Sequence, residues 1–187
     1  MSAHRAALER LGVPPPALAP LEAYLELVAR WNRRINLTAA RTPEQRVRQL
    51  VADALAAQDE CAPGRLLDVG SGNGSPGLVL ALLRPELEVR LLEPRSRRWA
   101  FLREAARVVG RPDVQALHVR HDGYVGPPAE TITLRGLALP PAALAGLLAP
   151  GGRLLVFGRC TGEVQALRAE RSLALPSGGR LHVLHRP

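Results

Sequence analysis

The strongest chemical signal in this sequence is a carboxylate followed by three closely spaced glycines. The segment is Leu66-Leu67-Asp68-Val69-Gly70-Ser71-Gly72-Asn73-Gly74. Glycine allows positive φ angles and lets a ligand lie against the main chain. A carboxylate at Asp68 could face the cationic amino-acid end of a sulfonium cofactor, whereas a pyrophosphate would prefer backbone amides with no negative charge nearby. We therefore predict a cofactor site formed by Asp68, Gly70, Ser71, Gly72 and Gly74.

A second carboxylate, Glu93, ends the next predicted strand, 25 residues after Asp68. A strand-end acid can accept hydrogen bonds from both hydroxyls of a ribose. The alternative is an acid that contacts only solvent. The turn does not complete the dinucleotide fingerprint Gly-x-Gly-x-x-Gly, because its sixth position is Ser75. This mismatch, together with Asp68, disfavours an NAD-dependent oxidoreductase.

These residues need a parallel sheet to bring them together, and the pattern after residue 60 predicts one. Buried strands alternate with amphipathic helices, and the Ser177-Gly178-Gly179 turn predicts a C-terminal antiparallel hairpin. The expected fold class is therefore α/β, with a mostly parallel sheet and helices on both faces. The predicted strands are 65–69, 87–92, 113–119, 131–134 and 153–157, and the predicted helices are 75–83, 96–109, 141–148 and 162–171.

The first 60 residues predict helices and no strand. Apolar residues from Leu18 to Ile35 recur at helical spacing and predict a helix that ends near Thr38. A second helix should begin at Thr42, with Pro43 at its first position and Gln45 completing a capping box. We expect one domain over 1–187, in which 1–60 is a helical extension of a cofactor-binding core over 61–187.

A Pro150-Gly151-Gly152 turn leads into the fifth predicted strand. Class I methyltransferases very commonly carry such a turn there, and dehydrogenases do not. Together with Asp68 and Glu93, the turn indicates a Rossmann-like methyltransferase that uses S-adenosyl-L-methionine. Three further residues in loops after the second and third strands then become candidate cofactor contacts, with a plain loop acid as the alternative for the last: Pro94, His121 and Asp122.

The chain also resembles one methyltransferase family over residues 24–185. The segment Trp31–Thr38 resembles that family's Trp-Asn-x-x-x-Asn-Leu-Thr, and Leu67–Gly77 contains its Asp-x-Gly-x-Gly-x-Gly-x-Pro-Gly. Further matches are Arg84-Pro85-Glu86, Arg97-Arg98, Phe101-Leu102, Arg120, Arg135 and Arg180–Val183. The family is RsmG (GidB), whose enzymes methylate N7 of a guanine in small-subunit ribosomal RNA.

The resemblance implies residue roles on the substrate side. It places Asn36, Asp53, Arg120 and Arg135 near the methyl-transfer face, with Arg135 also close to the cofactor. Guanine N7 has an available lone pair, so catalysis needs positioning rather than a general base. Arg135 could reach O6 or a phosphate of the target. The alternatives are that Asn36 caps a helix, Asp53 is a surface acid and Arg135 only pairs with a carboxylate.

Two departures from the family lie on the substrate side. Gln49 stands where the family usually has His, four residues before Asp53, and Phe157 stands where it usually has Lys. We therefore expect normal cofactor binding but weak or no action on ribosomal RNA. A family member with another acceptor, or a paralogue that binds cofactor or RNA without turnover, stays open.

The amino-acid composition indicates which kinds of partner the chain can bind. The chain carries 25 basic and 17 acidic residues, a formal charge of +8, and every basic side chain apart from His is Arg. This charge favours RNA, here ribosomal RNA or the small ribosomal subunit, although biased codon usage is an equal alternative. We expect a cytoplasmic monomer with no membrane segment, no metal and ordinary thiols at Cys61 and Cys160.

Overall fold

The computed structural model describes residues 2–161 and 164–187, which form one seven-stranded sheet flanked by helices. The strand order is β3-β2-β1-β4-β5-β7-β6. β7 runs antiparallel to β5 and β6, and the other neighbouring strands pair in parallel. The strands are β1 Arg65–Val69, β2 Glu88–Leu92, β3 Gln115–Leu117, β4 Ala129–Arg135, β5 Leu148–Phe157, β6 Arg168–Ala174 and β7 Arg180–His185. The predicted α/β class, with a mostly parallel sheet and a C-terminal antiparallel hairpin, is confirmed.

Six α-helices accompany the sheet in the described part of the chain. They are α1 Ala3–Arg10, α2 Pro15–Trp31, α3 Pro43–Val47, α4 Asp53–Ala57, α5 Gly77–Leu83 and α6 Ser96–Val108. A π-helical turn, Arg48–Ala52, joins α3 to α4. Short 3₁₀ segments lie at Gln58–Glu60, His121–Gly123 and Pro141–Leu147. The capping box predicted at Thr42 and Gln45 is present at the start of α3.

The helical cover of the two sheet faces is uneven. All six α-helices bury apolar side chains in one core with the strand residues Leu66, Val89 and Leu155. The opposite face buries Ile132 and Leu154 under the 3₁₀ segment at 141–147 and neighbouring loops. The segment predicted as a helix at 141–148 is therefore a tighter 3₁₀ turn. None of the described helices is long and apolar enough to cross a bilayer.

The first predicted helix ends earlier than expected. α2 stops at Trp31 instead of continuing to Thr38, because the side chain of Asn32 captures the following loop. Its Oδ1 accepts hydrogen bonds from the backbone N–H groups of Leu37 and Thr38, and its Nδ2 donates to the Thr38 carbonyl. An Asn side chain that bonds nearby backbone competes with the helix in this way.

The helix predicted over 162–171 is wrong. Residues 162 and 163 lie outside the described residues, and Arg168–Ala174 forms the edge strand β6 instead. Pairing with β7, from Arg168 opposite His185 to Ala174 opposite Arg180, decides the conformation. Tertiary pairing of this kind commonly overrides local helix propensity.

The N-terminal helices and the sheet share a single hydrophobic core. Tyr24 and Leu25 of α2 are fully buried in the same cluster as Phe101 of α6 and Leu66 of β1. Trp31 also packs edge-on against Phe101, with 5.8 Å between ring centroids. This continuity supports the prediction of one domain and places the 1–60 segment against the site described next.

Candidate functional site

The predicted cofactor turn lies at the carboxyl end of β1, as open parallel sheets require. Gly70, Gly72 and Gly74 have φ angles of +71°, +51° and +91°, which residues other than glycine rarely adopt. Ser71 closes the turn, since its Oγ donates to the Asp68 carbonyl at 2.9 Å. Gly70 is half-buried with the Leu137 side chain against it, whereas Gly72 and Gly74 are buried.

Asp68 is buried at the base of the turn. Its Oδ1 accepts a hydrogen bond from Thr133 Oγ1 at 2.6 Å, and its Oδ2 accepts one from the Gly77 N–H at 3.3 Å. A Cβ at position 77 would lie 2.5 Å from that of Asp68, so only glycine lets α5 approach this closely. Burial raises the pKa of Asp68 to about 6, although the hydrogen bond from Thr133 opposes the shift.

Glu93 follows β2 at the same edge and is only 3% exposed. β1 and β2 pair in register through Val69 and Leu92, so the two carboxylates lie close to one sheet edge. Glu93 Oε2 accepts from the Gly72 N–H at 2.9 Å, and Oε1 accepts from the Arg95 N–H at 2.8 Å. A carboxylate has about four lone-pair sites, so both oxygens can still accept from ribose hydroxyls.

An apolar cavity of about 220 Å³ adjoins this edge. Its wall includes three predicted cofactor residues, Pro94, Gly70 and His121, together with Arg120. Asp122 is not part of the wall and instead pairs with Arg120 at 3.0 Å on the exposed surface. The apolar walls next to Glu93 suit a planar base attached to a ribose.

The glycine turn is anchored by the side chains of Tyr24 and Asn73, which were not among the predicted site residues. Tyr24 Oη donates to the Asn73 carbonyl at 2.8 Å, and Asn73 Nδ2 donates to the Leu37 carbonyl at 3.1 Å. Asn73 Oδ1 also accepts from the Ser75 N–H. Tyr24 has the helical spacing of an ordinary core residue, so nothing in the sequence pattern distinguished it.

The structure brings two of the predicted substrate-side residues together. Arg135, at the end of β4, donates from Nη2 to Asp53 Oδ2 at 3.0 Å and from Nη1 to Ser75 Oγ at 3.1 Å. Asp53 Oδ1 accepts from the Ser177 N–H in the turn between β6 and β7. The carboxylate of Asp53 is buried, whereas the Arg135 side chain is 26% exposed. Of this pair, only the Arg135 side chain is therefore partly exposed to solvent.

The other two predicted substrate-side residues lie apart from this pair. Asn36 is exposed in the loop after α2, and its carbonyl accepts from Arg98 Nη2 at 3.0 Å. Arg120 lies on the cavity side, and its side chain is 64% exposed. The structure therefore gathers Asp53 and Arg135 beside the glycine turn, with Asn36 and Arg120 on separate flanking loops.

The two residues that differ from the family pattern, Gln49 and Phe157, occupy different environments. Gln49 is exposed, and its Oε1 accepts from Thr38 Oγ1 at 3.1 Å. Phe157 is 5% exposed and packs in the core that the six α-helices share with the sheet. It pairs in register with Arg135, so the two side chains leave neighbouring strands on the same face. Phe157 fills space beside the Arg135–Asp53 pair.

The described residues hold no group of three or more His, Cys, Asp or Glu side chains arranged for a metal. Cys61 and Cys160 are not joined by a disulfide. Burial raises the pKa of Cys61 to about 12, which makes its thiol a poor nucleophile at neutral pH.

A glycine turn beside two buried carboxylates, at the carboxyl edge of a sheet in which an antiparallel β7 follows β5, defines a Rossmann-like methyltransferase. The fold is shared with an RNA methyltransferase from Salinibacter ruber in complex with S-adenosyl-L-homocysteine, with a TM-score of 0.60, 21% identity and coverage of 79% of this chain and 94% of that one. It is also shared with the mitomycin 7-O-methyltransferase MmcR, with a TM-score of 0.63, 18% identity and coverage of 99% and 72%.

Sequence comparison narrows the class to one family. The family profile "rRNA small subunit methyltransferase G" (GidB) matches residues 17–175. The ribosomal RNA small subunit methyltransferase G of Xanthomonas axonopodis pv. citri is 38% identical, over 97% of this chain and 88% of that protein. The protein of the same description from Halorhodospira halophila is 42% identical, over 76% of this chain and 69% of that protein.

The chain therefore belongs to the rRNA small subunit methyltransferase G family, which confirms the resemblance seen in the sequence. S-adenosyl-L-methionine as the cofactor is likewise confirmed at the level of family and fold.

Proposed function

We propose that this chain transfers a methyl group from S-adenosyl-L-methionine to N7 of a guanine in small-subunit ribosomal RNA. The observation that carries the proposal is that the glycine turn and Arg135 lie side by side at one edge of the sheet. A glycine turn between Asp68 and Glu93 holds the cofactor, and Arg135 is fixed beside that turn by Asp53 and Ser75. Family membership supports the choice of ribosomal RNA as substrate.

The residues at the sheet edge fit the parts of the cofactor. Asp68 offers a buried negative charge to its ammonium group, Glu93 offers two oxygens to its ribose, and Pro94 and His121 wall the cavity that would take its adenine. When bound, the cofactor would supply a methyl group on positively charged sulfur. The N7 lone pair would form the new bond to the methyl carbon as the carbon–sulfur bond breaks, and the base would lose no proton.

The groups near the turn are not arranged to remove a proton from the acceptor. Asp68 is engaged by Thr133 and Gly77, and Asp53 by Arg135 and Ser177. The pKa of Tyr24 is raised well above its usual range by burial. Among the described residues of the turn and its supports, this arrangement suits an acceptor that is already nucleophilic, such as guanine N7.

Arg135 is the residue we assign to the substrate. Its guanidinium donates one hydrogen bond each to Asp53 and Ser75, and the side chain is 26% exposed. Its remaining N–H groups could donate to guanine O6 or to a phosphate. Asp53 acts through Arg135, as a positioning residue, because its own carboxylate is buried. Asn36 lies on the loop that Arg98 ties to α6, at the rim of the same site.

A second candidate is a family member with another acceptor. It is favoured by Phe157, a buried apolar side chain where the family has Lys, next to Arg135. The site then has one substrate-side cation at this position instead of two. Weak action on ribosomal RNA, as expected from the sequence, remains a prediction of this candidate.

The test is methyl transfer from labelled cofactor to naked small-subunit RNA, intact small subunits and tRNA. The proposal predicts label in small-subunit RNA, free or assembled, and little in tRNA. Label confined to tRNA, or found in none of the three while S-adenosyl-L-homocysteine still binds, would favour the second candidate. Since ribosomal RNA is the proposed substrate, we also propose that the chain acts in the cytoplasm as a single-domain monomer.

A further inference from the structure

A groove lined by arginines lies next to the cofactor site, between the loop after α2 and the start of α6. Its volume is about 630 Å³ and it is open to solvent. Six of the residues that line it are Arg34, Asn36, Pro94, Arg95, Arg97 and Arg98. Among the described residues no carboxylate lines the groove, so its charge is strongly positive.

These four arginines are close together and have no carboxylate partner among the residues that the structure describes. Some arginines elsewhere, such as Arg65, Arg111 and Arg171, pair with neighbouring carboxylates, and others, such as Arg10, Arg107 and Arg168, do not within the same residues. In the described residues, Arg34, Arg95, Arg97 and Arg98 take part in none of the salt bridges, and Arg98 donates only to the Asn36 carbonyl. The groove therefore presents cations that no carboxylate in the described part of the chain neutralises.

Three of the four arginines lie at an unfavourable place for a cation. They occupy the start of α6, whose first turn contains no acidic residue and whose N-cap gives no side-chain hydrogen bond. The N-terminus of a helix carries partial positive charge, which stabilises anions and repels cations. An external anion would relieve the repulsion among the arginines at this helix end.

The groove is continuous with the cofactor site. Pro94 lines both the groove and the cavity beside Gly70. A Cβ placed on Gly72 would lie 3.5 Å from Arg98 Nη1 and 3.9 Å from Glu93 Oε2. A polyanion lying in the groove would therefore pass beside the bound cofactor.

We propose that this groove holds the backbone phosphates of the RNA next to the target nucleotide. The inference rests on the proposed function for its choice of RNA, and the spread of four arginines along one open groove suits several phosphates better than one small anion. Trp99 does not add a base-stacking platform, because His118 stacks on one side of its ring and Arg103 lies over the ring. The groove therefore fixes position and leaves sequence choice to other contacts.

The test compares two triple variants with equal loss of charge. The groove variant is Arg34→Ala, Arg95→Ala and Arg97→Ala, which leaves Arg98 intact because it holds Asn36. The control variant is Arg10→Ala, Arg107→Ala and Arg168→Ala, whose side chains are exposed, lie outside the groove and are absent from the described salt bridges. Binding of small-subunit RNA is measured against salt concentration, and S-adenosyl-L-homocysteine binding is measured by calorimetry.

The groove variant should bind RNA more weakly, with a slope of log affinity against log salt reduced by about 2, taking about 0.7 per phosphate of single-stranded RNA. The control variant should keep a slope close to that of the unmodified chain, and cofactor-product binding should be unchanged in both. Equal RNA affinity and slope in the two variants would overturn the groove proposal.

The same experiment separates this proposal from the proposed function. If the unmodified chain methylates small-subunit RNA and both variants bind it equally, only the groove assignment fails. If the groove variant alone loses RNA binding but the unmodified chain methylates no ribosomal RNA, the groove assignment stands and the proposed function fails.

Discussion

At the scale of single residues, Asp68 and Glu93 differ in what surrounds their carboxylates. Glu93 accepts two backbone N–H groups, from Gly72 and Arg95. Asp68 accepts a hydroxyl and a longer backbone bond, and burial dominates its pKa. Two carboxylates on one sheet edge can therefore serve different ends of one ligand.

Glu93→Ala should weaken binding of S-adenosyl-L-homocysteine by about 1.5–3 kcal/mol, because charge-assisted hydrogen bonds to the ribose would be lost. Calorimetry measures this change directly. Glu88→Ala is the matched control, since Glu88 lies at the start of the same strand and pairs only with surface arginines. Equal affinity in the two variants would contradict the ribose role.

Cofactor-product affinity should depend on pH through Asp68. Its pKa of about 6 means that the carboxylate is mostly ionised at pH 7.5 and becomes neutral as the pH falls below 6. The neutral acid cannot attract the ligand ammonium, so affinity should fall by up to about tenfold per pH unit below pH 6.

The control for the pH effect is Asp68→Asn, which should bind more weakly at pH 7.5 and lose the slope. A slope that persists in Asp68→Asn would contradict the assignment of the titration to Asp68.

Asp53→Asn should separate positioning from binding. Asparagine can still accept the Ser177 N–H, but it removes the charge that holds Arg135. We expect the rate of methyl transfer to fall about 10- to 100-fold, equivalent to about 1.4–2.7 kcal/mol, with S-adenosyl-L-homocysteine affinity unchanged. Asp59→Asn, at an exposed position, is the control. An equal loss of cofactor-product binding would show that Asp53 only supports the fold.

At the scale of elements, the sequence predicts what depends on local pattern. β1 occupies the predicted residues 65–69, and α6 ends within one residue of its predicted end, because a buried apolar run and a helical repeat determine them locally. The end of α2 and the strand β6 were not predictable in this way. They depend on the Asn32 side chain and on pairing with β7, which are contacts that no short window of sequence contains.

The candidate site divides along the same line. Asp68, the three glycines and Glu93 form a motif with fixed spacing, so sequence alone indicated them. The contact of Tyr24 with the Asn73 carbonyl spans 49 residues and required the fold. The Asp53–Arg135 pair spans 82 residues, so only the family resemblance suggested that both residues mattered.

Phe157→Lys should destabilise the fold by about 2–4 kcal/mol, because a buried ring is replaced by an ammonium group beside the Arg135 guanidinium. Phe157→Leu, which keeps the site apolar, should cost about 1 kcal/mol. Gln49→His, at an exposed position, should change stability by less than about 0.5 kcal/mol. Denaturant unfolding measures all three.

Equal stability of Phe157→Lys and Phe157→Leu would show that the site accommodates the family lysine. The double variant Gln49→His with Phe157→Lys would then be a fair test of whether these two residues limit guanine-N7 methylation.

At the scale of the whole molecule, the N-terminal helices and the sheet act as one unit. Residues of α2 and α6 share a core with β1, and Tyr24 and Leu37 both bond to Asn73 in the cofactor turn. The 1–60 segment therefore shapes the site from outside the sheet, rather than being appended to a finished domain. The groove proposed to hold RNA phosphates lies where the loop after α2 meets the start of α6.

The most direct test of this account is the identity of the methylated nucleoside. Small-subunit RNA or intact small subunits are incubated with labelled S-adenosyl-L-methionine, digested to nucleosides and analysed by mass spectrometry, with Glu93→Ala as the control. The account predicts label in 7-methylguanosine, reduced at least tenfold in Glu93→Ala at limiting cofactor. Label in any other nucleoside, or equal label with Glu93→Ala, would contradict it.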